Sequence, residues 1–103
     1  MASLNVFSRS FLLLLCVSAS MGQDWCVVRQ GASEDAMTNY FFSACKEVDC
    51  TPVNPRGDCF LPDNLINHVS YVLNLKYRQS GACPSYLGAR TSVDPSYGKC
   101  KYA

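Results

Sequence analysis

The sequence lacks an excess of charge of either sign. Its 103 residues contain nine Lys and Arg against eight Asp and Glu, so the formal net charge is +1. A nucleic-acid-binding face needs clustered cations, and a cationic antimicrobial peptide needs positive charge to bind anionic membranes. The composition therefore argues against both classes. The length allows one small domain, too short for a dinucleotide-binding enzyme, a closed α/β barrel or a repeat array.

Groups suited to catalysis and metal binding are also scarce. His68 is the single histidine, and it falls in a largely apolar segment, where a structural histidine bonded to neighbouring backbone is expected. The spacing of Cys45, Cys50 and His68 does not match a zinc finger, and the thiols of a secreted chain oxidise. The acidic residues fall at expected helix starts and loops, which does not indicate two carboxylates facing across a cleft. We therefore expect no enzymatic activity, no metal and no cofactor.

Long hydrophobic runs are missing except near the N-terminus. Residues 11–17 are an apolar stretch, preceded by Arg9 and followed by small residues up to Gly22. A membrane span needs about 20 apolar residues, so this shorter pattern predicts a secretory signal over residues 1–22, cleaved before Gln23. No second apolar stretch, lipid-anchor tail or N-glycosylation sequon follows. We therefore expect a secreted domain over residues 23–103 with no membrane anchor.

Cysteine is the residue present in excess. Removal of the signal would take Cys16 with it and leave six of the seven cysteines, an even number that agrees with cleavage there. This density of cysteines is typical of an oxidising compartment. The domain is too small to bury a large core, and each of three disulfides would stabilise it by roughly 2–4 kcal/mol. Six cysteines can pair in about fifteen ways, and arithmetic alone does not select among them.

Two helices and several short strands are expected in the mature chain. Residues 33–45 place apolar side chains on one face, with Ser33 as N-cap and acidic residues in the first turn. A second helix starts at Asp63 or Asn64 and ends at Gly81, and its broad apolar surface predicts a central position. The remaining pattern predicts strands over residues 25–28, 86–93 and 99–102, and a turn-rich loop over 51–58.

The second helix also carries a polar stripe, formed by Asn67, Tyr71, Asn74 and Arg78 at helical spacing. Aromatic rings pack against the apolar faces of sugars, while amides and guanidinium groups hydrogen-bond sugar hydroxyls. The stripe is therefore a candidate sugar-binding surface, although a solvated helix face explains the same pattern.

The order of short motifs along the chain resembles that of a known family. The motifs are Trp25-Cys26-Val27-Val28, Gly57-Asp58-Cys59-Phe60-Leu61-Pro62, His68-Val69-Ser70-Tyr71 and Asp94-Pro95-Ser96-Tyr97-Gly98-Lys99-Cys100. All six cysteine positions match, and the resemblance covers residues 25–102. The chain resembles carbohydrate-binding module family 43, which occurs in plant endo-1,3-beta-glucanases, in plasmodesmal callose-binding proteins and as small secreted pollen proteins, some of them allergens.

The resemblance implies both a fold and a ligand. It implies an α+β domain stapled by disulfides, with two main helices packed on a short antiparallel sheet and long loops. The function that it implies is binding of β-1,3-glucan such as callose, without catalysis, by a short stand-alone monomer of the apoplast and cell wall. It also implies the disulfide pairs Cys26–Cys83, Cys45–Cys50 and Cys59–Cys100.

The helix geometry ranks the residues of the expected binding face. Tyr71 and Asn74 lie side by side and rank first, Arg78 follows one turn later, and Tyr77 ranks last because we expect it to face the core.

Two departures from the family pattern, at Phe42-Ser43 and at Lys76, favour an alternative. In this alternative the chain is a secreted protein-interaction or signalling protein whose glucan site has decayed. An enzyme inhibitor built on the six cysteines is a third hypothesis.

Overall fold

The computed structural model describes residues 22–103, so the predicted signal, apart from Gly22, lies outside the described residues. In chain order the elements are strand β1 (Trp25–Val28), helix α1 (Glu34–Ala44), a 3₁₀ turn (Thr51–Val53), helix α2 (Leu65–Ser80) and strand β2 (Gly88–Thr91). The α+β architecture that the resemblance implies is confirmed: two helices pack on a two-stranded antiparallel sheet.

Both helices begin and end where their local sequence signals predict. The Ser33 hydroxyl accepts a hydrogen bond from the Ala36 backbone N–H at 3.0 Å, which caps α1. Asn64 caps α2 in the same way, with Oδ1 accepting from the Asn67 N–H at 2.8 Å. At the other end of α2, Gly81 takes the left-handed conformation with φ of 76°. In the described part of the chain, neither helix is long and apolar enough to cross a membrane.

The sheet is small and is packed tightly against α2. Trp25 lies opposite Thr91, and Val28 lies opposite Gly88. A side chain at position 88 would place a Cβ 2.9 Å from both Cys26 Sγ and a methyl group of Leu73. Glycine is therefore required where β2 crosses the first disulfide.

The expected strand at residues 99–102 is wrong, and the strand expected at 86–93 is shorter. In place of the former, Tyr97 and Cys100 exchange both backbone hydrogen bonds, at 3.0 and 2.8 Å, in an isolated bridge. The Tyr102 N–H then bonds the hydroxyl of Ser96 at 2.9 Å. These backbone bonds of Tyr97, Cys100 and Tyr102 are thus made within the segment 96–102 and not to a neighbouring strand.

The two helices run parallel, with α2 at the centre of the molecule. Near their starts, Met37 of α1 lies beside Leu65 of α2. Toward their C-terminal ends, Lys76 of α2 forms an ion pair with Glu47, which follows the last turn of α1. Helix α2 contributes three fully buried apolar side chains, Val69, Val72 and Leu73, and its predicted central position is confirmed.

The core consists of two clusters, each built around a disulfide. Cys26 joins Val69 and Leu73 in the first cluster, and Cys59 and Cys100 join Val72 in the second. All six cysteines of the described residues are bonded, in the pairs that the resemblance implies: Cys26–Cys83, Cys45–Cys50 and Cys59–Cys100.

Candidate functional site

The polar stripe on α2 is covered by the segment 97–103. Asn67 Nδ2 donates to the Tyr97 hydroxyl at 2.9 Å. One turn along the helix, the Tyr71 ring meets the Tyr102 ring edge-to-face with centroids 5.3 Å apart. Burial raises the pKa values of Tyr71 and Tyr102, so both phenols are neutral at ordinary pH. The residues of the stripe lie along one side of α2, but the segment 97–103 binds to that side and covers much of it.

Asn74 is not on the surface, and its expected position facing a ligand is wrong. Its side chain is 1% exposed. Oδ1 accepts from the Cys26 N–H at 3.1 Å, and Nδ2 donates to the main-chain oxygen of Ala103 at 2.9 Å. The amide is buried because β1 and the segment 97–103 close over this turn of α2. It holds these two segments together.

Arg78 is exposed, yet its guanidinium group already has partners. Nε donates to the main-chain oxygen of Ala103 at 2.8 Å, and a terminal nitrogen donates to the main-chain oxygen of Asp24 at 2.5 Å. The guanidinium carbon also lies 5.9 Å from the centroid of the Trp25 ring. Arg78 therefore ties both ends of the described chain to α2.

Tyr77 lies outside the stripe, in a charged cluster at the end of α2. It packs against the first core cluster, as expected. Its hydroxyl donates to the Asp24 carboxylate at 2.9 Å, and this hydrogen bond raises the pKa of Tyr77. The guanidinium carbons of Arg78 and Arg90 lie 5.5 and 5.8 Å from its ring centroid.

His68 has the structural role predicted for it. Its Nε2 lies 2.6 Å from the backbone oxygen of Phe60, and its ring stacks on the Phe60 ring at a centroid distance of 5.5 Å. Among residues 22–103, no group of three or more His, Cys, Asp or Glu side chains could hold a metal ion.

A groove beside the covered stripe was not predicted from the sequence. We call it the tyrosine groove; its volume is about 440 Å³, and it lies between β1, the first half of α2 and residues 95–102. None of its lining side chains is charged. They are Val27, Val28, Asn64, Ile66, Asn67, Ser70, Pro95, Tyr97 and Tyr102.

Hydrogen bonds from α2 fix both walls of the tyrosine groove. On one side, the Ser70 hydroxyl accepts from the Val28 N–H at 3.0 Å. On the other, the Tyr97 hydroxyl accepts from Asn67 and donates to the main-chain oxygen of Leu61 at 2.7 Å. The groove therefore presents aromatic rings, hydroxyls and an amide in fixed positions.

A second groove adjoins the first at the start of α2. We call it the helix groove; it is lined by Glu34, Met37, Asn64, Leu65 and Ile66, with a volume of about 480 Å³. Asn64 and Ile66 line both grooves. Ile66 is 57% exposed at this junction.

The uncharged lining of the tyrosine groove suits a neutral ligand that has apolar faces and hydroxyl groups. Local periodicity could not reveal the tyrosine groove because its residues come from β1, α2 and the segment 95–102. The polar stripe and three of the family motifs each contain residues of its lining, namely Asn67, Val28, Ser70 and Tyr97, but nothing in the sequence showed that these residues meet.

Comparisons with known proteins agree with this chemistry. A family model described as the X8 domain matches residues 24–86, more than half of the chain. The chain is 44% identical over 88 residues to a glucan endo-1,3-beta-glucosidase of Triticum aestivum, an alignment that covers 81% of this chain and 19% of that protein. It is 32% identical over 98 residues to plasmodesmata callose-binding protein 2 of Arabidopsis thaliana, covering 89% of this chain and 50% of the relative.

The chain thus spans about half or less of the length of these curated relatives. No solved structure matches it. The family match, the disulfide framework and the two relatives agree with the motifs read from the sequence. The chain therefore belongs to the X8 domain family, which is carbohydrate-binding module family 43.

Proposed function

We propose that this protein binds β-1,3-glucan without cleaving it, and that the tyrosine groove is the binding site. One observation carries the proposal: the groove combines the rings of Tyr97 and Tyr102 with the exposed amide of Asn64 and the hydroxyl of Ser70, and no charged side chain lines it. Tyrosine rings stack on the apolar faces of pyranose units, while amides and hydroxyls bond their hydroxyl groups. An uncharged lining also suits a neutral polysaccharide.

The names of the relatives support this ligand. They describe glucan endo-1,3-beta-glucosidases and callose-binding proteins, and callose is a β-1,3-glucan. Absence of catalysis is part of the proposal, because glycoside hydrolysis needs two carboxyl groups flanking the scissile bond. The tyrosine groove has no carboxylate in its lining.

Three of the four residues ranked from the sequence receive an indirect role in this proposal. Tyr71 supports the ring of Tyr102, and Asn74 and Arg78 hold the main chain at Ala103. Each keeps the 97–103 wall of the groove in place and is a positioning residue for glucan binding. Tyr77 lies in the Asp24 cluster and does not line the groove.

We propose that the protein acts outside the cell, in the plant cell wall. Every cysteine in residues 22–103 is bonded to another cysteine. Such complete pairing is typical of an oxidising compartment. The predicted signal over residues 1–22 would direct the chain there.

A pull-down on insoluble β-1,3-glucan tests the function. The native protein should sediment with the glucan, and Ile66→Ser should stay largely in the supernatant because it removes an exposed apolar contact at the mouth of the groove. Val93→Ser is the matched control, since Val93 is 73% exposed and does not line the groove; it should sediment like the native protein. Incubation with soluble β-1,3-glucan should release no reducing sugar.

The same pull-down separates this function from the protein-interaction alternative. A native protein that remains in the supernatant would contradict glucan binding and favour a decayed site. Equal loss of binding in Ile66→Ser and Val93→Ser would place the site elsewhere.

A further inference from the structure

We propose that the tyrosine groove and the helix groove form one surface that binds a single β-1,3-glucan chain longer than a trisaccharide. This inference rests on the proposed function, because it extends the same site beyond the first groove. The starting observation is that Asn64 and Ile66 line both grooves. The grooves therefore meet at the first turn of α2, with Ile66 at their junction.

Asn64 is held so that it can contact a ligand at this junction. Its Oδ1 accepts the Asn67 N–H and caps α2. Within residues 22–103 its Nδ2 has no hydrogen-bond partner, and the residue is exposed. The cap fixes the amide, so its donor can bond a sugar hydroxyl with little further loss of conformational entropy.

The helix groove has its own means of binding a sugar. Leu65 and Ile66 supply apolar surface, and the exposed Glu34 adds a carboxylate to the lining. A carboxylate accepts hydrogen bonds from hydroxyl groups, and such charge-assisted bonds are stronger than neutral ones. This half of the surface adds an acceptor that the tyrosine groove lacks.

The size of each groove sets the expected dependence on chain length. Volumes of about 440 and 480 Å³ are typical of sites for small molecules. A short oligosaccharide therefore fills one groove. A longer chain reaches the second groove while tethered in the first, so its second contact is intramolecular and raises the overall affinity.

Calorimetric titration with β-1,3-linked glucose trisaccharide and hexasaccharide tests the inference. The native protein should bind the hexasaccharide at least about tenfold more tightly, because the tethered second contact adds to the first. Glu34→Ala should weaken hexasaccharide binding about tenfold through the loss of a hydrogen bond to a charged group. It should leave trisaccharide binding unchanged.

Asp35→Ala provides the matched control. Asp35 lies in the same first turn of α1 and carries the same charge, but it does not line either groove. It should bind both saccharides like the native protein.

The outcomes separate this inference from the function on which it rests. Equal affinity of the native protein for the two saccharides would overturn the continuous surface and leave glucan binding intact. An equal loss in Glu34→Ala and Asp35→Ala, or no loss in Glu34→Ala, would overturn the role of the helix groove. Failure of the native protein to bind either saccharide would contradict the proposed function itself.

Discussion

The side chain of Asn74 joins three parts of the molecule through one amide. It projects from α2, accepts the Cys26 N–H of β1 and donates to the main-chain oxygen of Ala103. Its partners lie 48 and 29 residues away in the sequence. Because polarity and helical spacing carry no information about such distant partners, the sequence placed this residue on a surface when it is buried.

Replacement of Asn74 by alanine should lower the free energy of unfolding by about 2–4 kcal/mol. The change leaves a backbone donor in β1 and a backbone acceptor at Ala103 without their partner. Urea denaturation measures the loss. Asn39→Ala is the control, because Asn39 is exposed on α1 and such surface changes stay within about 0.5 kcal/mol. Comparable losses in the two variants would show that the buried amide is not a structural link.

The helices could be predicted from sequence because their signals are local. Ser33, Asn64 and Gly81 each act within one turn of their own helix. The sheet was harder to predict than the helices, because a strand requires a partner from elsewhere in the chain. Residues 99–102 have the composition of a strand, but their backbone bonds go to a tight turn and to side chains.

At the scale of the element β2, a substitution at Gly88 tests how tightly the sheet packs on α2. Gly88→Ala should lower the free energy of unfolding by about 1–3 kcal/mol, because the added methyl group collides with Cys26 Sγ and Leu73. Thermal denaturation gives the comparison with Ala89→Ser, a change at an exposed position of the same strand. The packing account is contradicted if the two variants melt at the same temperature.

At the scale of the whole molecule, the disulfides connect segments that the helices alone do not. Cys59–Cys100 attaches the segment 97–103 to the loop before α2, whereas Cys45–Cys50 closes only a short turn. Spacing of cysteines left the connectivity open, and only the family motifs selected it. The tyrosine groove could not be predicted from the sequence for the same reason, because its lining residues meet only in the folded chain.

Removal of Cys59–Cys100 by a double alanine substitution should cost about 4 kcal/mol by loop entropy, against about 2 kcal/mol for Cys45–Cys50. The sequence separations of 41 and 5 residues set this order. Urea denaturation of the two double variants measures both values. The variant that lacks Cys59–Cys100 should also bind glucan more weakly, because the segment 97–103, which forms one wall of the tyrosine groove, is no longer attached by this disulfide. Equal stability losses and unchanged glucan binding in both variants would contradict this account.

The central claim, that the tyrosine groove binds β-1,3-glucan, is tested most directly by a nuclear magnetic resonance titration of the isotope-labelled protein with soluble β-1,3-glucan. The account predicts that saturable shifts appear first at the Ile66 methyl groups, the Asn67 side-chain amide and the Tyr97 ring. The resonances of Tyr77 and Arg90, which do not line the groove, should change little. Shifts confined to the Tyr77 and Arg90 cluster, or no shifts at all, would contradict the claim.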